Sequence, residues 1–164
     1  MGNDDANEAF ERLAARLDYA MLIVTATSDA GRAGCLVGFA SQCSISPARF
    51  MVFISNKNLT YRVAREASEL AVHVIPAGAL DLARLFGEET GDAVDKFARC
   101  RWTETPLGTH VLEDCPDRFV GPILSRVDVG DHSGFLIEPT DVGAGDGRFL
   151  MFHEVQHLEP GHDA

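Results

Sequence analysis

The chain has 164 residues, enough for a single domain with its own core. Apolar residues make up 46% and charged residues 24%, the proportions of a soluble globular protein, while 25 acidic against 14 basic side chains leave a formal net charge of −11. That balance argues against a nucleic-acid surface or an anionic membrane surface; an anionic cofactor stays compatible, because a pocket answers to its local field.

The four cysteines, at 35, 43, 100 and 115, form no CxxC pair and no zinc spacing. They are expected to be buried thiols in a reduced, cytoplasmic setting rather than a disulfide frame. The stretch "MGNDDANEAFERL" is acidic and helix-like, unlike a signal peptide, and Ala6 stands where myristoylation asks for Ser or Thr. No apolar run approaches the roughly 20 residues of a membrane span.

In chain order, "EAFERLAARL" places Phe10, Leu13, Ala14 and Leu17 at helical spacing and predicts an amphipathic helix. "YAMLIVTATSDAGRAG" reads as a strand and a turn, running into "GCLVGFASQCSISP" (34–47) as the next strand. "RFMVFISN" is a third strand. "NLTYRVAREAS" is a helix, with Asn58 as its cap and Leu59, Val63 and Ala67 at four-residue spacing. "ELAVHVIP" is a fourth strand, ended by Pro76. "ALDLARLFG" is a helix turning Leu82, Leu85 and Phe86 inward and stopping at Gly87. "DAVDKFARC" adds a helical turn or two, and "RWTETPLGTHVLEDCPD" is irregular. Two or three strands follow from Arg118 onward, with "GAGDG" as a hairpin connection. Strands gather at both ends with short helices between, which is not the alternation of a doubly wound sheet. The pattern predicts an antiparallel barrel or sandwich decorated by helices.

Two stretches carry the candidate chemistry. Read as one strand, residues 34–47 put Cys35, Val37, Phe39, Ser41, Cys43 and Ile45 on one face. Gly34, Leu36, Gly38, Ala40, Gln42, Ser44 and Ser46 fall on the other. Glycine and alanine weaken a strand, so a face this bare needs a reason. Either a flat ring system lies close to the backbone, bonded by Ser41, Gln42 and Ser44, or a helix packs tightly against Gly38 and Ala40. In "SNKNLTY", Ser55, Lys57, Asn58 and Thr60 collect donors where a strand enters a helix, an arrangement suited to phosphate. The alternative is a plain Asn58 cap beside a solvated Lys57. His132 in "DVGDHSG" is either functional or part of a polar turn. His73 alternates with apolar neighbours and reads as structural. His110, His153, His157 and His162 show no ligand spacing. There is no GxxxxGK[ST], HExxH or GxSxG motif.

Taken in order, these elements resemble the flavin reductase-like family of FMN-binding split barrels over roughly residues 19–153. "GCLVGFASQCSISP" follows a family strand of the form GMTASSFTSVSLDPP. "FISNKNLTYRVAREA" matches the strand and turn into a helix. Lys96 and Phe97 match a KF element with RW close behind, "GDHSGF" (130–135) matches GDHTIF, and "RFLMF" matches PLLYF. Two features depart from the family. Leu36-Val37-Gly38-Phe39 replaces Thr-Ala-Ser-Ser, and His153-Glu154-Val155-Gln156 replaces Arg-Gly-Arg-Tyr.

The resemblance implies a mainly β protein with short helices (α+β), a Greek-key split β-barrel. It would be one domain over 1–164, with an N-terminal helix in 1–18 and a C-terminal tail at 154–164, forming a homodimer with flavin near the subunit interface. Val37, Gly38, Phe39 and Ala40 would lie along the isoalloxazine, and Ser41, Gln42, Cys43 and Ser44 would bond the ring edge and ribityl chain. Ser55, Lys57, Asn58 and Thr60 would take the phosphate. His132 would stand near the reactive ring face, where a nicotinamide is seated, and Phe97 would wall that pocket. The implied activity is NAD(P)H-dependent reduction of FMN or FAD, with a flavin-dependent monooxygenase as a candidate partner. Its rivals are an FMN-retaining oxidoreductase acting on another substrate and a flavin-binding barrel without turnover.

Overall fold

The computed structural model describes residues 2–161. His162 and the end of the acidic C-terminus lie outside the described residues. Ten strands form in chain order: β1 (Leu22–Ser28), β2 (Gly31–Val37), β3 (Ala40–Ser44), β4 (Arg49–Ser55), β5 (Glu69–Val74), β6 (Trp102–Glu104), β7 (His110–Leu112), β8 (Arg118–Asp128), β9 (His132–Ile137) and β10 (Asp141–Gly143). Four short helices accompany them: α1 (Asn3–Ala14), α2 (Leu59–Ala64), α3 (Leu80–Gly87) and α4 (Phe152–Val155), with a 3₁₀ turn at Lys96–Arg99.

The main antiparallel sheet runs β2-β1-β5-β8-β9-β4-β3, with β10 added on β8, and β6 pairs β7 in a separate ribbon. β2 and β3 sit at opposite ends of that path, yet only Gly38 and Phe39 join them. Two linking residues span roughly 10 Å, so the two sheet edges must meet at this point. The sheet therefore curls into a split barrel. Phe53 N–H donates to Phe39 O at 2.9 Å, which carries the β4 ladder up to the junction. β8 serves both halves: its first residues pair with β5 and its last with β9, with a register shift between Ile123 and Ser125. At Gly121 a Cβ would lie 1.7 Å from Glu138 O, so the crossing of the two halves admits only glycine.

Strand β1 is buried on both faces from Leu22 to Ala26, and the buried Thr25 hydroxyl donates to His110 O. Leu22, Val24 and Ala26 join the barrel core with Val52, Ile54, Val72, Phe135 and Ile137. Met21 and Ile23 face a second core with Ile75, Phe86, Leu112, Leu150 and Val155. His73 ties these layers together: its Nδ1–H donates to Ile23 O at 2.9 Å, and its Nε2 accepts from Leu112 N–H at 3.0 Å. Burial pushes its pKa down to about 4, so it stays neutral. The structural reading of His73 holds.

Several expectations need correction. The stretch 34–47 is two strands, because the chain must leave one sheet edge and join the other at Gly38-Phe39. "RWTETPLGTHVLEDCPD" is a hairpin, β6 with β7. "GAGDG" is no hairpin: β10 pairs β8, whereas Phe149 and Met151 bridge to Pro76 and Ala20. The expected amphipathic helix forms as α1 but ends at Ala14, short of Leu17, and Phe10, Leu13 and Leu17 are exposed. Within the C-terminal tail, Val155 is buried and Leu158 packs on the second core. All four cysteines are free thiols, but Cys43 is exposed. No helix among the described residues is long and apolar enough to cross a membrane.

Candidate active site

A groove of about 490 Å³ opens at the β2–β3 junction. Cys35 to Phe39 form its floor, and Phe53, Ile54, Ser55, Asn58 and His132 form one side. Phe86 and Gly87 of α3, Glu11 and Ala14 of α1, and Tyr19 with Phe152 complete it. A mostly apolar cleft of this size, with a few polar groups gathered on one side, suits a cofactor with a flat ring and a polar tail.

The polar side is built by two turns. Asn56 pins the turn before His132: its N–H donates to Asp131 O at 2.9 Å and its Nδ2–H to Gly130 O at 3.1 Å. Gly130 has φ +142°, a conformation open to glycine, and lets the chain reverse into β9. His132 is thereby presented at the groove with its Nδ1–H donating to Asp131 Oδ1 at 2.7 Å. That bond, with the attraction between the two groups, holds the Asp131 carboxyl below the usual carboxylate range. It commits Nδ1 of His132 to Asp131 and leaves Nε2 as the other ring nitrogen. The ring of Phe39 stands 5.1 Å from the His132 ring at the rim. In the other turn, Asn58 caps α2 by accepting from Thr60 N–H at 2.9 Å, and Ser55 Oγ accepts from Lys57 N–H at 3.4 Å.

The structure thus brings together Val37, Gly38, Phe39, Ser55, Asn58 and His132. Lys57 is exposed at the rim, close enough to Asp131 to help hold its carboxyl down. Other candidates do not reach the groove. Ala40, Ser41, Gln42, Cys43 and Ser44 lie on the edge strand β3, where Ser41 Oγ and Gln42 Nε2 bond the neighbouring Gln42 and Ser44 carbonyls at 2.9 and 3.1 Å. Thr60, in the first turn of α2, is fully buried beside the Cys35 thiol, its Oγ1 lacking a partner of ordinary geometry, and does not line the groove. Phe97 is buried against Phe86 and His110, and walls a separate cleft of about 330 Å³ with Arg32 and Lys96.

Sequence reasoning missed Tyr19 and Phe152. Their rings stack at 4.8 Å and 11°, and Tyr19 rests on Gly38. The bare strand position is therefore covered by a side chain of the protein itself. Nothing local signals this, because 133 positions separate the two rings along the chain.

Residues 14–159 match the family described as Flavin reductase like domain. The chain belongs to this family. It is 28% identical to the FMN reductase (NADH) RutF of Variovorax paradoxus, over 88% of this chain and 81% of that one. It is also 28% identical to the 4-hydroxyphenylacetate 3-monooxygenase reductase component of Pseudomonas aeruginosa, over 91% and 92%. Among solved structures, the NADH:FAD oxidoreductase SgcE6 of Streptomyces globisporus superposes with a TM-score of 0.80 at 18% identity, covering 92% of this chain and 90% of that one. The shared fold is the split barrel expected from the order of the motifs.

Proposed function

We propose that this protein is a flavin reductase that oxidises a reduced nicotinamide dinucleotide, NADH as in the names of its relatives, and reduces FMN or FAD in the groove at the β2–β3 junction. The observation that carries this reading is the convergence of the His132–Asp131 pair, Ser55 and Asn58 on one side of an apolar cleft in a chain of this family. Bound flavin supplies the two-electron chemistry. The chain's own residues bind and orient it. Val37 and Phe39 would lie along the ring, with Tyr19 in place of the bare Gly38 surface beside it, Ser55, Lys57 and Asn58 would hold the phosphate end, and His132 would face the nicotinamide.

A homodimer is part of the same reading. Rows of residues across β8, β9 and β4 share a face: Ser125, Leu136 and Met51, then Val127, Gly134 and Phe53, then His132 with Ser55. The opposite face carries the buried Phe135, Val52 and Ile54. A solvated outer face should be polar, yet this one is largely apolar, with Val127 exposed on it and Val129 and Phe39 exposed at its end. It is continuous with the groove through Phe53 and His132. A second copy covering it would place the flavin beside the interface. The relative named as a monooxygenase reductase component supports a monooxygenase as recipient of reduced flavin. The free thiols and acidic surface fit a cytoplasmic setting.

The test is NADH oxidation by the purified protein with and without added FMN or FAD. Oxidation that depends on added flavin supports the reading. Absence of turnover with NADH and NADPH against FMN, FAD and riboflavin overturns it. Sedimentation of wild type against Val127→Glu tests the dimer, which should dissociate in the variant.

A further inference from the structure

Lys96 is 5% exposed, and its ammonium donates to Gly34 O of β2 at 3.1 Å and to Phe86 O of α3 at 3.0 Å. No carboxylate among the described residues comes within salt-bridge distance of it, and burial pushes its pKa down. A buried cation whose hydrogen bonds go only to carbonyls, with the Phe86 ring 5.6 Å away as its other close contact, needs a reason, since desolvating it is costly. The two acceptors provide one. The last carbonyls of a helix lack intrahelical partners and carry the negative end of its dipole, and β2 is an edge strand whose outer carbonyls likewise need donors.

Around this bond the two elements interlock without slack. A Cβ at Gly34 would stand 2.7 Å from Phe86 Cε1, and a Cβ at Gly87 would stand 2.7 Å from Leu36 Cδ2. Cys35, Leu36, Phe86 and Gly87 line the groove, whereas Lys96 does not. The ammonium lies behind that wall and joins its two halves.

We infer that Lys96 is a positioning residue that clamps the end of α3 onto β2 and thereby sets the width of the flavin groove. The clamp is independent of what the groove holds; its consequence for flavin rests on the function proposed above.

Lys96→Met keeps the length and apolar contacts of the side chain and removes its donors. Hydrogen exchange should quicken about tenfold at residues 34–36 and 84–88 relative to the rest of the molecule. In NADH oxidation by the same protein, KM for FMN should rise roughly five- to tenfold while kcat per folded protein stays within about twofold. Exchange that quickens uniformly, or local loosening with an unchanged KM, would overturn the assignment, because a merely structural lysine lowers the folded fraction without moving KM. If the Met variant does not fold, Lys96→Gln retains two uncharged donors and should give smaller changes of the same kind. A wild-type KM with uniformly faster exchange in that variant would equally refute the clamp. Wild-type protein that never saturates with FMN or FAD would refute the flavin reading of the groove, and the local exchange pattern would then decide the clamp alone.

Discussion

Tyr19 lies across Gly38: a Cβ added at residue 38 would come within 2.8 Å of Tyr19 Cε2, while the same Tyr ring stacks on Phe152 at 4.8 Å. The side-chain-free position on the strand thus serves first as a seat for a ring from the protein itself. Gly38→Ala must push Tyr19 away and disturb the stack. We expect a loss of about 1–3 kcal/mol in denaturant unfolding. In a Tyr19→Ala background the extra loss from Gly38→Ala should largely vanish, and a double-mutant cycle reads this directly. Full additivity of the two losses would show that the contact carries no coupling.

His132 lines the groove with its Nδ1–H committed to Asp131. His132→Ala should slow NADH-driven flavin reduction roughly tenfold and leave FMN affinity within about twofold, since the residue acts on the turnover step and not on the phosphate end. Stopped-flow reduction combined with a fluorescence titration of FMN separates the two quantities. An unchanged reduction rate would remove His132 from the chemistry.

At the opposite end, Lys57 is an exposed cation beside the cap of α2 in a chain of net charge −11. Its attraction for a phosphate dianion is local, and riboflavin lacks that group. Lys57→Ala should weaken FMN about tenfold and leave riboflavin nearly untouched, with the FMN loss shrinking as salt rises. Equal losses for both flavins would move the phosphate elsewhere.

His73 makes stability depend on pH. Its folded pKa is lowered by burial to about 4, below the ordinary 6.5 that it regains on unfolding. The unfolded chain therefore binds more protons between these values, so stability is fully present above pH 6.5 and falls as the pH drops toward 4. The loss from this residue is on the order of 3 kcal/mol across that window. Urea unfolding at pH 7 and pH 4.5 measures it. His73→Gln should be less stable at pH 7 but show a smaller drop on acidification.

Much of the barrel was legible in short-range pattern. "YAMLIVTATS" marks the strand β1, the Asn58 cap sits where its helix starts, and "GDH" marks the turn into β9. These features depend on side-chain period and turn chemistry within a few residues, so the chain alone specifies them. What it could not specify is which elements meet. The family resemblance sets Phe97 in the pocket of His132, but the folded chain packs it against Phe86 and His110, where it lines a different cleft. Tyr19 and Phe152 become one stacked pair because the C-terminal segment returns to bridge Ala20 and Pro76. Lys96 becomes a clamp because α3 and β2 present two carbonyls to the same buried point. Such contacts arise from closure of the barrel, where the free energy comes from burying non-local surfaces together, and no local period encodes which partners that burial selects.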